Sequence, residues 1–290
     1  MQIIKEITLL KNNNDCFSSV LLTDGKNVFY NNENKVYIDT ENKTLIFTIK
    51  KSYSCIFIEN LAYVVNEDGN IFCIDLEDET CTMLIKNFGI DCELYRVFGN
   101  QLLASVKYNE FYRKAYIINR TDIKKLGCEP EDCIDIFGIA GDIYFVSTDS
   151  LERFKCKCEL SIYKYISNDD LILIYNTPNA ISLTKYSVEP NKKFIAYSNG
   201  KKITVYDFHG NVKKKFKLPQ DASDINWIAE GKYLLISSLM ELYLYDGETF
   251  SLLEKVDFPE NCIALDVNCS FDSSYFYLIA GNRTTLYLVN

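Results

Sequence analysis

Four cysteines are placed where they could share a metal ion. Four residues separate Cys128 from Cys133, and one residue separates Cys156 from Cys158. Four thiolates can bind a structural zinc ion in a closed tetrahedral site. These spacings differ from those of ordinary zinc ribbons and fingers. We therefore favour unligated thiols and expect no metal or other cofactor, with zinc at these four cysteines as the alternative.

The single histidine limits the catalytic chemistry open to this chain. His209 lies in the segment Asp207–Gly210, which predicts an exposed turn because glycine takes up positive φ easily. A site that needs two histidines is excluded. The clustered carboxylates lie in polar loops, where a solvated charge is the usual state, and no glycine-rich phosphate loop occurs among the 12 glycines. We find no catalytic residues and expect a protein that is not an enzyme.

Two predicted loops combine aromatic residues with arginine. They span residues 108–113 and 149–158 and are longer than the other connections of the same kind. Exposed aromatic and arginine side chains are enriched at binding hot spots, and long loops on a rigid scaffold often carry function. The alternative is that the aromatic rings pack only against each other. The candidate partner-binding residues, which we call the loop rim, are Tyr108, Phe111, Tyr112, Arg113, Leu151, Arg153 and Phe154.

Basic residues are concentrated in one segment. Residues 191–217 contain eight lysines and a single acidic residue, a net charge of +7 in a chain whose total is −9. Lysines on an outer strand discourage unwanted strand pairing. The functional alternative is a landing surface for an acidic partner or a lipid headgroup. The residues of this secondary basic patch are Lys201, Lys202, Lys213, Lys215 and Lys217.

A short repeat predicts the elements that would position these residues. It consists of alternating apolar and polar residues that usually end in aspartate, and seven copies end at positions 39, 75, 119, 164, 207, 246 and 290. The mean spacing is about 42 residues, a period typical of a β-propeller blade. The clearest copies are Lys35–Asp39, Ile71–Asp75, Ile203–Asp207 and Leu242–Asp246.

Alternating hydrophobicity predicts four strands in each repeat, with Asn, Asp and Gly in the turns. The predicted fold is therefore all-β: a single domain, residues 1–290, forming a seven-bladed β-propeller. The last blade lacks its outer strand, and we expect the N-terminal strand, residues 3–10, to pair with residues 284–290 and close the ring. Two packed sandwiches would explain neither feature. The blades span approximately residues 16–50, 54–87, 92–126, 133–176, 182–218, 224–257 and 262–290.

The repeat resembles that of WD-repeat propellers over the whole chain. In that family the third strand of a blade ends in Trp-Asp. Tyr206-Asp207 and Tyr245-Asp246 occupy the same place here, and Ile38-Asp39 and Ile74-Asp75 match more loosely. The Trp-Asp pair itself and the family's Gly-His pair are absent. The resemblance implies the propeller architecture, but no functional residue is carried over, because propellers support unrelated activities.

Composition restricts the classes of partner. A net charge of −9 disfavours nucleic acid and anionic membranes, since binding to phosphates requires a basic field. No apolar run approaches the ~18 residues of a membrane span. The 11 cysteines and the absence of an N-terminal signal pattern predict a reduced, cytoplasmic protein.

The sequence thus predicts a non-catalytic protein–protein interaction scaffold that is monomeric as a fold and binds another protein. The alternative is a small-molecule-binding or lactonase-like hydrolytic propeller with a site in its central channel.

Overall fold

The computed structural model describes most of the chain: residues 2–8, 22–23, 27–32, 34–40, 42–89, 91–97, 101–119, 122–130, 132–139, 141–148, 158–167, 170–180, 184–189, 191, 193–257, 264–269, 275–280 and 283–288. All of its regular elements are β-strands, and they form seven four-stranded sheets. The all-β class predicted from the sequence is confirmed. No helix in the described part of the chain combines the length and apolar character needed to cross a membrane.

The contacts of the chain divide it into two compact units. The unit made of residues 18–20 and 27–180 holds most of the first half of the strands. The sheet orders in this half follow the chain: β2-β3-β4-β5, β6-β7-β8-β9, β10-β11-β12-β13 and β14-β15-β16-β17. These strands are β2 (Leu22–Thr23), β3 (Val28–Asn32), β4 (Lys35–Asp39), β5 (Thr44–Thr48), β6 (Ser52–Ile58), β7 (Leu61–Asn66), β8 (Ile71–Asp75), β9 (Thr80–Ile85), β10 (Glu93–Val97), β11 (Gln101–Lys107), β12 (Arg113–Asn119), β13 (Asp122–Lys125), β14 (Cys133–Ile139), β15 (Asp142–Thr148), β16 (Cys158–Tyr165) and β17 (Leu171–Ala180).

The other unit contains residues 1–17, 21–26 and 181–290. Two of its sheets, β18-β19-β20-β21 and β22-β23-β24-β25, again follow the chain, whereas the last has the order β1-β28-β27-β26. Besides β2, its strands are β1 (Gln2–Thr8), β18 (Thr184–Val188), β19 (Phe194–Asn199), β20 (Lys202–Asp207), β21 (Val212–Lys217), β22 (Ala222–Ile228), β23 (Tyr233–Ser238), β24 (Glu241–Asp246), β25 (Leu252–Asp257), β26 (Ala264–Cys269), β27 (Tyr275–Ala280) and β28 (Arg283–Leu288).

The pairing of the two chain ends is confirmed. Strand β1 runs antiparallel to β28, from Gln2 opposite Leu288 to Thr8 opposite Arg283. The N-terminal strand therefore supplies the outer strand that the last repeat lacks. The predicted first strand of the first blade, residues 16–22, lies outside the described residues except for Leu22. The outer strand of the fourth repeat is longer than predicted, because it continues beyond residue 176 to Ala180.

The aspartate that ends the repeat organises the turn after it. At the end of β24, Asp246 Oδ1 accepts hydrogen bonds from the backbone N–H groups of Glu248 at 3.1 Å and Thr249 at 2.7 Å. Asp75 and Asp207 accept corresponding backbone bonds at the ends of β8 and β20. A short carboxylate can thus replace backbone partners that the turn lacks, which explains why aspartate recurs there.

Each unit has its own apolar core. In the unit of residues 181–290, Trp227 is fully buried and stacks on Phe194 with a centroid separation of 6.3 Å. In the unit of residues 27–180, Gly138 lets β14 approach β10. A Cβ added at Gly138 would lie 2.7 Å from Val97 Cγ1 and 2.8 Å from Tyr95 Cβ, both on β10. Any larger residue there would separate the two inner strands.

Candidate functional site

The connection between β11 and β12 is a compact, exposed loop of five residues, Tyr108–Tyr112. Its ends are joined by the Tyr108 N–H, which donates to the Tyr112 carbonyl oxygen at 3.1 Å. Within it, Asn109 Oδ1 accepts from the N–H groups of Phe111 at 2.9 Å and Tyr112 at 2.8 Å. The asparagine side chain therefore fixes the loop conformation from inside.

The aromatic rings of this loop contact each other and remain exposed. The Tyr108 and Tyr112 rings are nearly stacked at 6.2 Å, and the Phe111 ring meets Tyr112 edge to face at 6.5 Å. The Lys114 ammonium lies 4.1 Å from the Tyr108 ring centroid. Tyr108 and Phe111 nevertheless keep 49% and 50% of their surface accessible. The rings form a small cluster, as one interpretation predicted, but this cluster still offers aromatic surface to a partner.

Arg113 has a different role from the one its place in the loop rim suggested. Its side chain is only 14% exposed, and one guanidinium nitrogen donates to Glu93 Oε1 at 2.8 Å. The other donates to the carbonyl oxygens of Asp91 at 3.0 Å and Ser105 at 3.2 Å and to the Ser105 hydroxyl at 3.2 Å. Arg113 thus anchors the base of the loop to β10 and β11 and is not available as a contact residue.

The anchor lies in a group of interacting ionisable side chains. The Tyr95 hydroxyl donates to Glu93 Oε2 at 2.6 Å. Burial raises the pKa of Glu93, and the Arg113 guanidinium opposes this rise. Burial, together with the charges of Glu93 and Asp135, holds the pKa of Tyr95 well above its usual range. The group is a half-buried hydrogen-bonded network beneath the loop, in which the arginine charge favours the ionised form of the carboxylate.

The remaining loop-rim residues, Leu151, Arg153 and Phe154, lie outside the described residues, as does Cys156. Their position beside the Tyr108–Tyr112 loop stays a prediction. Only the backbone of Cys158 is described, as the start of β16.

Zinc at the four cysteines stays a prediction, because only Cys128 and Cys133 have described side chains. Cys133 is buried and its thiol donates to the Asp135 carbonyl oxygen at 3.4 Å. Burial raises the pKa of this thiol to about 12. Cys128 is half-buried. Within the described ranges, no group of three or more His, Cys, Asp or Glu residues is arranged to hold a metal ion.

The lysines of the basic patch are exposed, as their concentration on a predicted outer strand indicates. Strand β21 is the outer edge of its sheet, and Lys213, Lys215 and Lys217 on it are exposed, as are Lys201 and Lys202 before and within β20. Lys213 Nζ pairs with Asp207 Oδ2 at 2.9 Å. His209 lies in the exposed turn between β20 and β21.

Solved structures reproduce this arrangement of sheets. A chain in the crystal structure of the mitotic checkpoint complex superposes with a TM-score of 0.68 at 14% identity, covering 100% of this chain and 96% of its own. The Cps50 (Swd1) β-propeller domain of Myceliophteria thermophila superposes with a TM-score of 0.67 at 13% identity, covering 100% and 99%. The chain therefore has a β-propeller fold, like that of the WD-repeat propellers its repeat resembles. At these identities the likeness concerns the fold alone.

Sequence comparison adds one distant relative of this propeller. A putative BTB/POZ domain-containing protein of Acanthamoeba polyphaga mimivirus is 20% identical over 297 aligned residues, which cover 96% of this chain and 55% of the relative. The chain therefore spans about half the length of that curated protein. No protein-family model matches the chain.

Sequence reasoning missed another apolar feature of the propeller. Leu239 and Met240 form the turn between β23 and β24, the connection that corresponds to the Tyr108–Tyr112 loop, and are 56% and 41% exposed. Aromatic content and loop length gave no signal here, because the turn has only two residues and neither is aromatic. Two adjacent large apolar residues in a tight, solvent-exposed turn would have been the signal to use.

Proposed function

We propose that this propeller is a non-catalytic interaction module that binds another protein through the Tyr108–Tyr112 loop. The observation that carries the proposal is the half-exposed pair Tyr108 and Phe111, presented on a loop that Asn109 and Arg113 hold in place. Rigid aromatic side chains lose little conformational entropy on binding, and such residues dominate interface energies.

The wider proposal concerns the whole propeller, the larger proteins that contain such a domain and the cellular compartment. One ring of seven blades within a single domain, closed by the β1–β28 pair, would present the loop on a rigid scaffold. The mimiviral relative, named for a BTB/POZ domain, matches over about half its length. This supports a propeller that also serves as one part of larger proteins. The buried thiols of Cys92 and Cys133 are consistent with a reducing, cytoplasmic compartment.

The test compares two variants that remove similar exposed apolar area. The first carries Tyr108→Ala and Phe111→Ala; the control carries Ile123→Ala and Ile172→Ala, which are exposed residues of β13 and β17. Each protein is coupled to beads and exposed to native lysate, and captured partners are quantified by mass spectrometry. Unfolding midpoints must match the wild type before the captures are compared.

The proposal expects a partner that the wild type and the control retain and the loop variant loses. Loss of two hot-spot rings would weaken binding by about 2 kcal/mol or more, roughly 30-fold. A partner held equally by all three proteins would show that the loop is not the contact surface. If the wild type captures nothing, the interaction module itself is contradicted, and a small-molecule ligand of the channel becomes the next hypothesis to screen.

A further inference from the structure

A cavity of about 650 Å³ opens between two neighbouring sheets of the unit that contains residues 181–290. The turn between β20 and β21 lines one side, with Asp207 and Phe208. The turn between β24 and β25 lines the other, with Thr249 and Phe250. Its volume lies within the range of pockets that bind drug-sized ligands or the side chains of a bound peptide. Nothing in the function proposed above uses this cavity.

The floor of the cavity is aromatic and well supported. The Phe194 and Phe250 rings meet edge to face at 5.2 Å, and Phe250 also packs against Trp227 at 6.2 Å. Phe250 is almost completely buried, whereas Phe194 and Phe208 are half-buried at the cavity surface. Because the floor continues into the packed core around Trp227, it is preorganised to receive an apolar side chain.

The mouth of the cavity is basic. Lys193, Lys213 and Lys214 line it together with the carboxylates of Asp207 and Glu248. Asp207 is already engaged: it accepts from Asn211 Nδ2 at 3.0 Å and from Lys213 Nζ at 2.9 Å, and its pKa is held well below the usual range by these bonds. Among the described residues, neither the Lys193 nor the Lys214 ammonium has a carboxylate within ion-pair distance. Two cations therefore remain to balance an incoming negative charge.

The exposed edge of β21 runs beside this mouth. Among the described strands, β21 pairs with β20 alone, so the N–H and C=O groups on its outer side are open to another strand. Lys213 and Lys214, at the start of β21, line the cavity, and Lys214 lies opposite Val205 in the strand register. An added strand would thus place alternate side chains over the aromatic floor.

We propose that an extended acidic peptide from a protein partner adds to the β21 edge and inserts a large apolar side chain into the cavity. Charge complementarity selects this occupant: residues 191–217 carry a net charge of +7, whereas the chain as a whole carries −9. Lysines along β21 repel the same edge of a second copy but attract acidic side chains at alternate positions of an added strand. The overall negative charge disfavours an anionic membrane at the same site. This surface is separate from the Tyr108–Tyr112 loop, and the two proposals can fail independently.

The experiment uses the full chain and a fluorescein-labelled peptide in which glutamates alternate with valines around a central phenylalanine. Binding is followed by fluorescence anisotropy at low and at physiological salt. The test variant carries Lys193→Glu and Lys214→Glu. The control carries Lys124→Glu and Lys125→Glu, an identical change of charge on β13, the corresponding outer strand of another sheet. Two further peptides carry N-methyl groups at alternate backbone positions, one set for each register, to block strand addition.

The expected result is binding to the wild type and the control, with at least about a tenfold loss in the test variant and a marked weakening at higher salt. One of the two N-methylated peptides should fail to bind, because only one register directs its N–H groups at β21. Equal binding by test and control variants would overturn the site. Equal binding by both N-methylated peptides would overturn strand addition. Binding of phosphatidylserine vesicles, with none of the peptide, would overturn the proposal in favour of a lipid surface.

Discussion

The Arg113 guanidinium lies 2.8 Å from Glu93 Oε1 and joins the first residue of β12 to the first residue of β10. The same side chain reaches two backbone carbonyl oxygens, so it ties together three strands immediately below the exposed loop. Its removal would leave Glu93 without its charged partner and would leave both carbonyl oxygens without this donor.

Replacement of Arg113 by Ala should therefore destabilise the protein by about 2 kcal/mol. This cost is smaller than for a fully buried ion pair, because Glu93 is partly exposed and solvent screens its charge. Urea unfolding followed by circular dichroism measures the effect. Lys107→Ala is the matched control, since its pair with Asp91 on the same sheet is at 3.3 Å and solvent-exposed. We expect that control to change stability by less than about 1 kcal/mol. Equal effects of the two substitutions would show that Arg113 is not an anchor.

The turn aspartates should contribute to stability individually. Asp75→Ala and Asp246→Ala each remove a carboxylate that accepts two backbone N–H groups, at a cost of about 1 kcal/mol. Asp78→Ala is the control, because it lies in the same turn as Asp75 but only its backbone N–H takes part in those bonds. Chemical denaturation of the three variants tests this order. A cost for Asp78→Ala as large as that for Asp75→Ala would contradict the capping role.

Acid should weaken the fold through the same kind of residue. Hydrogen bonds from Thr249 lower the pKa of Asp246, so this carboxyl is more acidic in the folded protein than in the unfolded chain. Its contribution to stability is therefore complete above the unfolded pKa of about 4 and is lost as the pH falls through the lower folded value. Unfolding free energies measured from neutral pH to about pH 3 should decline less steeply for Asp246→Asn than for the wild type. Identical slopes would mean that Asp246 gains no proton-linked stability.

These aspartates show which parts of the molecule the sequence could predict. Asp75, Asp207 and Asp246 end a strand and accept backbone hydrogen bonds from the turn that follows, and Asp39 accepts from Thr44 at the start of the next strand. Their spacing predicts the repeat, and hydrophobic alternation predicts the strands. Such local chemistry needs no knowledge of tertiary structure. Strand alternation likewise predicted that β1 completes the last sheet.

The site was less predictable because its residues are assembled from distant parts of the chain. The sequence predicts an exposed Arg113 because its carboxylate partner, Glu93, lies 20 residues earlier on another strand, where no local pattern shows that the two side chains meet. The cavity beside β21 combines Lys214 of β21 with Lys193 and Phe250 from segments before β19 and β25, and no local pattern connects them. Periodicity shows which face of a strand is buried, but not which loops meet above it.

Cysteine reactivity should follow burial. Burial raises the pKa of the Cys92 and Cys133 thiols to about 12, so both stay almost entirely protonated, and therefore unreactive, near neutral pH. Cys81 is exposed on β9, and burial raises its pKa less. Timed iodoacetamide labelling with peptide mass spectrometry should modify Cys81 well before Cys92 or Cys133. Denaturant should abolish the difference, and rapid native labelling of Cys92 or Cys133 would contradict their buried state.

Trp227 should be among the most costly side chains to remove from its unit. It is fully buried, stacks on Phe194, and its indole N–H donates to the Ser187 carbonyl oxygen at 3.3 Å. Trp227→Ala would leave a large cavity under the aromatic floor and cost about 4 kcal/mol, while Trp227→Phe would keep part of the packing and cost roughly half as much or less. Far-UV circular dichroism in urea measures both without relying on tryptophan emission.

Val212→Ala, at an exposed position of β21, is the control and should stay within about 0.5 kcal/mol of the wild type. If Trp227→Ala were no more harmful than this control, the support that the core gives to the cavity floor would be absent, and the peptide site beside β21 would lose its preorganised pocket.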